Sequence, residues 1–180
     1  VSVYEGWEGY QTALVRAVAT LTAEQLAFRP APGMRSVGET ARHIAAGRLT
    51  WFRRMDAPGS AELDALVPEW VTDREGNRHV VEERLAPADD AAALVGWLER
   101  TWGMVAATLA AWTTDDLQRT YRHTFRGTTY AVSYQWTIWR ILSHDMHHGG
   151  QLTTLLYQQG VEPAELGWLG GHLTEPPVAD

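Results

Sequence analysis

The sequence predicts an all-α fold, a four-helix bundle with long crossover connections, formed as a single domain over residues 1–180. Three observations point there. Apolar residues recur at helical spacing in four separated stretches; capping boxes stand at Thr22 and Ser36; and loops bearing proline or glycine divide the periodic stretches.

The first helix lies between Tyr4 and Leu21, where Tyr10, Leu14, Ala17, Val18 and Leu21 share a face. Thr22 with Gln25 caps a short turn, and Pro30-Ala31-Pro32-Gly33 forces a loop. Ser36 with Glu39 opens the second helix, whose buried face carries Val37, Ala41, Ile44, Arg48, Phe52 and Met55 and which ends near Ala57-Pro58-Gly59. From Ser60 to Pro87 no period is sustained, and this segment is expected to be an irregular crossover, long enough to form a lid or substrate wall. The third helix follows Pro87, with Leu94, Trp97, Leu98, Thr101, Val105, Thr108, Leu109 and Trp112 in phase. Tyr121, His123 and Phe125 alternate before Arg126-Gly127, which suits a brief extended segment. The fourth helix is expected from about Tyr130 to Gln159, closed by Gly160 with Pro163 beyond.

Composition excludes several functions. A net charge of -7, without a basic stripe, argues against a nucleic-acid partner. No apolar run is long enough to span a bilayer, and Val1-Ser2-Val3-Tyr4-Glu5 does not read as a secretory signal, so a cytoplasmic protein is expected. With 0 Cys the protein owns neither thiolate ligands nor a thiol nucleophile; any thiol chemistry needs a co-substrate.

His144-Asp145-Met146-His147-His148 is the most informative segment. On a helix, His144 and His148 project from one face at a spacing that can grip one metal ion, or they are structural imidazoles in local hydrogen bonds. They fall on the flank of the fourth helix's apolar stripe, level with Thr137, Gln151 and Leu155. His43 falls on the flank of the second helix, level with Ser36, Thr40 and Gly47, and Gly47 is expected to leave room for an ion or substrate. His147 points elsewhere and reads as a surface, interface or second-sphere residue. His79, His123 and His172 have no partner at ligand spacing, and each is expected to be solvated or locally hydrogen-bonded. Paired Glu-x-x-His motifs are absent, which sets aside a di-iron carboxylate bundle.

The stretch LTAEQLAFRPAPGMRSVGETARHIA at 21–45 resembles the N-terminal signature of the DinB-like proteins, and ILSHDMHHGGQL at 141–152 is similar to that family's second signature. The resemblance implies a four-helix bundle, a homodimer, and a divalent metal held by three histidines, here His43, His144 and His148. It also implies relatives that are metal-dependent transferases or isomerases using low-molecular-weight thiols. At Gly149 the chain departs from the commoner pattern, which has a larger, often basic residue there.

Three imidazoles around zinc leave a fourth position for substrate, and a thiol coordinated there would ionise. The expected function is therefore a metal-dependent thiol S-transferase that presents a small-molecule thiol to an electrophile in stress or detoxification. A metal-dependent hydrolase and a non-enzymatic metal-binding stress protein are the alternatives. Zinc is the first expectation, with nickel, iron or manganese as alternatives. Asp145 sits in the apolar stripe and either orients a ligand histidine or forms an inter-helix ion pair. Gln151 either contacts substrate or satisfies backbone groups. Glu39 has its capping role and lies one turn before His43, and Arg140, one turn before His144, either binds an anionic substrate group or is solvated. Gly149-Gly150 points to a close helix approach, such as a dimer contact, for which Trp136 and Trp139 are also candidates.

Overall fold

The computed structural model describes Tyr4 and residues 6–163 and 165–168. Four long helices dominate: α1 (Trp7–Ala19), α3 (Val37–Arg53), α6 (Ala91–Ala111) and α7 (Tyr134–Gln158). Shorter pieces decorate them: α2 (Ala23–Ala27), α4 (Ser60–Asp64) and α5 (Glu82–Leu85), and the strands β1 (Trp70–Thr72), β2 (Arg78–Val80), β3 (Thr120–Phe125) and β4 (Thr128–Ser133). The fold is all-α in architecture, with two antiparallel hairpins, β1-β2 and β3-β4, as additions. Among the described residues no helix is long and apolar enough to cross a membrane.

Local chemistry sets the helix ends. Both expected capping boxes are present, on Thr22 with Gln25 and on Ser36 with Glu39, each side chain accepting from the other residue's backbone N–H. Asp90 and Ser133 cap α6 and α7 by accepting from Ala93 N and Trp136 N. The faces read from the sequence are largely those buried: Leu14, Ile44, Phe52, Leu98 and Val105 are fully enclosed. α3 packs against both α6 and α7, and α1 against α6.

Two expectations need correction. The fourth helix begins at Tyr134 rather than near Tyr130, because residues 128–133 pair with 120–125 as a hairpin and Ser133 serves as the N-cap. A β-branched run, Thr128-Thr129, then Val132, suits the strand better than the first turn of a helix. The 60–87 crossover is not irregular, since it holds α4, the β1-β2 hairpin and α5. Its turn is closed by Asp73, whose Oδ1 accepts from Glu75 N and Asn77 N, a local bond that no hydrophobic period reveals. The two hairpins grip each other: Asn77 Nδ2 donates to Thr124 O, and Gly127 N donates to Glu75 Oε1.

At the centre of the bundle Arg48 Nε donates to Asp145 Oδ2 at 2.7 Å, with both side chains 0% exposed. The same Asp145 oxygen accepts from Trp7 Nε1, while Arg48 Nη1 donates to Gln11 Oε1 and to Leu98 O. One ion pair therefore ties together α1, α3, α6 and α7. Beside it α1 comes close to α7: Tyr10 OH donates to Asp145 O at 2.8 Å, and a Cβ on Gly149 would lie 1.6 Å from that hydroxyl. Gly149 thus serves a close approach within one chain.

Two outcomes are expected. Arg48→Met should cost about 3–5 kcal/mol in urea unfolding by stranding the Asp145 carboxylate, and Arg48→Met/Asp145→Leu should recover much of that loss. Equal destabilisation of both variants would contradict the role given to the pair. Gly149→Ala should cost roughly 1–3 kcal/mol by overpacking, and Tyr10→Phe in that background should cost less than it does alone, because the clashing oxygen is gone.

Candidate metal centre

α3 carries His43 and α7 carries His144 and His148, and α3–α7 packing brings the three rings together. One ligand atom from each lies within 4.8 Å of the others, so the three could hold a metal ion. Nε2 of His43 stands 3.1 Å from Nε2 of His144. The ring of His148 is 4.6 Å from that of His43 and 4.4 Å from that of His144, edge-on to both. Gly47 makes this possible in a way that corrects the expectation for it: a Cβ there would be 2.7 Å from Cε1 of His144, so the space is taken by the imidazole itself rather than kept for a ligand.

The partners of the outer nitrogens set the tautomers. His43 Nδ1 lies 2.7 Å from Glu82 Oε1, and a carboxylate can only accept, so Nδ1 carries the proton and a neutral ring leaves Nε2 bare. His148 Nδ1 lies 2.7 Å from Gln151 Oε1, with the same consequence. Nδ1 of His144 faces Asp145 Oδ1 at 3.5 Å, and both atoms are buried without a hydrogen-bond partner. Ligand imidazoles characteristically donate their other N–H to such acceptors.

Burial pushes the His148 imidazole down to about 4; the Gln151 bond opposes this, and the neighbouring rings of His144, His43 and His147 add to it. Burial alone would raise Glu82, but the bond from His43 and the positive field of Arg35 and Arg42 outweigh it, holding the carboxyl below its ordinary range. The site thus favours a neutral His148 and an ionised Glu82.

Glu82 was not singled out by the sequence. It comes from α5, 39 positions after His43, and no spacing rule joins a residue of the crossover to a histidine on α3. The other candidates are placed as follows. Asp145 lies beneath the rings and forms the ion pair with Arg48. Gln151 bridges His148 and His147, its amide nitrogen 3.2 Å from His147 Nε2, and His147 is exposed. Glu39 is occupied by its cap and by a two-point pair with Arg29, at 2.8 and 2.6 Å, away from the triad. Arg140 lies exposed over the rings of Trp51 and Trp136. His79 and His123 have local partners in Asp73 and Asn77, and His172 lies outside the described residues.

Residues 7–152 match the sequence model of the DinB superfamily. No curated protein matches the chain. Among solved structures, a DinB-like protein from Bacillus cereus superposes with a TM-score of 0.57 at 20% identity, covering 86% of this chain and 88% of that one. At that identity the likeness speaks for the fold alone.

The depressed His148 predicts a pH dependence for chelator-treated protein. Its folded value of about 4 lies below the ordinary 6.5, so between those values the unfolded chain takes up a proton that the folded chain refuses. The stability it contributes is present above pH 6.5 and is lost as pH falls towards 4. His148→Gln should flatten that part of the curve, measured as urea midpoint against pH; an unchanged profile would contradict the assignment.

Proposed function

The chain belongs to the DinB superfamily, and on that premise we propose that it is a divalent-metal protein whose metal, zinc first among the candidates, is used to transfer a small-molecule thiol to an electrophile. The observation that carries this reading is the convergence of three imidazoles from two helices, two of which have Nδ1 tied to an acceptor that leaves Nε2 free. Such a donor set fits zinc, nickel or iron, with manganese less suited to an all-nitrogen site.

His43, His144 and His148 would hold the ion, and a divalent ion held by three neutral histidines supplies Lewis acidity and lowers the pKa of a thiol or water bound beside them. Glu82 fixes the ring plane and tautomer of His43, and Gln151 does the same for His148. Asp145 does not leave the core to reach a ligand; pinned by Arg48, it holds the helix turn that displays His144 and His148. The thiol must come from a co-substrate, since the chain has 0 Cys. A cytoplasmic setting and a homodimer belong to the same proposal, and the exposed indole of Trp139 is available for a contact between copies.

Hydrolysis is the second reading within the same donor set, with water in place of the thiol. A non-catalytic metal-binding stress protein would hold the ion without thiol dependence.

Protein purified without chelator or affinity nickel should carry one divalent ion per chain in metal analysis, and His43→Ala should lose it; full retention would break the three-histidine reading. Glu82→Gln should keep the site but weaken metal affinity about 10–100-fold, read by competition with a chromogenic chelator. Loaded protein should speed capture of a general electrophile by a biological thiol, and equal rates with His148→Ala would remove the catalytic claim.

A further inference from the structure

A cavity of about 770 Å³ lies where α3, α7 and the two hairpins meet, within the usual range for small-molecule sites. Its position follows the helix rows that carry the triad. Arg140 is one turn before His144 on α7, about 6 Å along that helix, and Trp51 is two turns after His43 on α3, about 12 Å. The walls are apolar and flat: the indoles of Trp51 and Trp136 stand 6.0 Å apart at a tilt, with Val132 and Phe125 from the β3-β4 hairpin.

Two cations stand on these walls. Arg140 lies 5.2 Å from the Trp51 ring and 5.5 Å from the Trp136 ring, and Arg54 lies 4.3 Å over Trp51. Among the described residues neither guanidinium forms an ion pair with a carboxylate. The hydrogen bonds of Arg54 to His123 Nδ1 and Arg78 O are long, at 3.5 and 3.4 Å. The carboxylates at the rim are committed elsewhere, Asp73 to its own turn and to His79, and Glu75 to Gly127 N. In a chain of net charge -7, Arg54 and Arg140 place two guanidinium groups without ion-pair partners on one aromatic wall, with the Asp73 and Glu75 carboxylates across the same cavity and Asp73 near enough to act on Arg54.

We propose that this cavity binds a small organic anion with a flat apolar body, of the aromatic carboxylate class, its ring against Trp51 and Trp136 and its carboxylate on Arg140 and Arg54. Stacking and edge contacts with the indoles would recognise the ring, and the planar guanidinium would donate to the carboxylate's two oxygens. The inference deepens the proposed function by naming how its substrate is held, through an aromatic ring and a carboxylate that are not themselves the electrophilic centre; it rests on that reading for the reaction but not for the binding.

The test uses 2-naphthoate and its neutral counterpart 2-naphthylmethanol, with affinities from titration calorimetry and tryptophan fluorescence. The full-length protein should prefer the acid. Arg140→Gln should weaken the acid roughly 10- to 100-fold and leave the alcohol unchanged, while Arg140→Lys should keep part of the preference. His43→Ala should leave acid binding within about twofold, since the histidine is two turns from Trp51. Near-UV circular dichroism and metal content establish that each variant is folded and which site it retains. Equal binding of acid and alcohol, or an unchanged affinity in Arg140→Gln, would overturn the proposal. So would failure of the acid to bind the wild-type protein while that protein sediments as a dimer which Trp136→Ala dissociates, because the occupant would then be a second copy. Loss of metal binding in the wild type with acid selectivity intact would break only the metal reading; the converse would break only this one.

Discussion

Asp145 and Arg48 are both wholly enclosed, and each charge is tolerable in that position only because the other answers it. The pair is the constraint on which the rest of the structure depends. Its hydrogen bonds reach Trp7 and Gln11 on α1 and the carbonyl of Leu98 on α6, so the four long helices meet in one polar knot inside an apolar core. Apolar packing tolerates small slides of one helix along another, whereas a directional ion pair with fixed donors and acceptors sets the register. The register it sets is that of α3 against α7.

That register is also the one that forms the histidine cluster. Asp145 sits between His144 and His148 in sequence, and Arg48 follows Gly47, whose missing side chain admits the His144 ring. A shift of one turn between α3 and α7 would separate His43 from the pair and drive Gly47 off the ring it accommodates. Positioning from outside comes from a different direction. Glu82 rises from the crossover to accept the hydrogen bond of His43 Nδ1–H, and Gln151 holds His148 from the next turn of its own helix. The core fixes where the rings stand, and these two residues fix which nitrogen each ring offers.

Much of this was legible in the amino-acid sequence because it depends on local rules. The faces of the long helices follow from apolar periodicity, and the starts of α2 and α3 from capping boxes that need only four adjacent residues. The i, i+4 pair on α7 is equally local, and a second histidine-bearing flank on α3 follows from counting turns. What the sequence hid depends on contacts across the fold. The start of α7 is not fixed locally, because residues 128–133 can continue either a helix or a strand, and only pairing with 120–125 decides it. The β1-β2 hairpin rests on the side chain of Asp73 rather than on any period. Gly149 signals a close approach without saying to what, and Gly47 reads as room for an ion or substrate; the neighbours are the Tyr10 hydroxyl and the His144 ring. Glu82 left no trace, since a carboxylate far along the chain becomes the partner of His43 only when the crossover folds back.

The crossover and the β3-β4 hairpin also join the site to its surroundings. One supplies Glu82 to the triad, and together they wall the aromatic cavity one turn away, locked to each other through Asn77 and Glu75. Decoration of a simple bundle thus gives it a second compartment beside the histidines.

The central claim is that His43, His144 and His148 bind one metal ion together. X-ray absorption spectroscopy of zinc-loaded protein tests it most directly. The account predicts a first shell dominated by nitrogen or oxygen at about 2.0–2.1 Å, with outer-shell scattering from three imidazoles that falls to two in the fraction of zinc that His43→Ala still holds at excess metal. A shell without imidazole scattering, or one unchanged by that substitution, would contradict it.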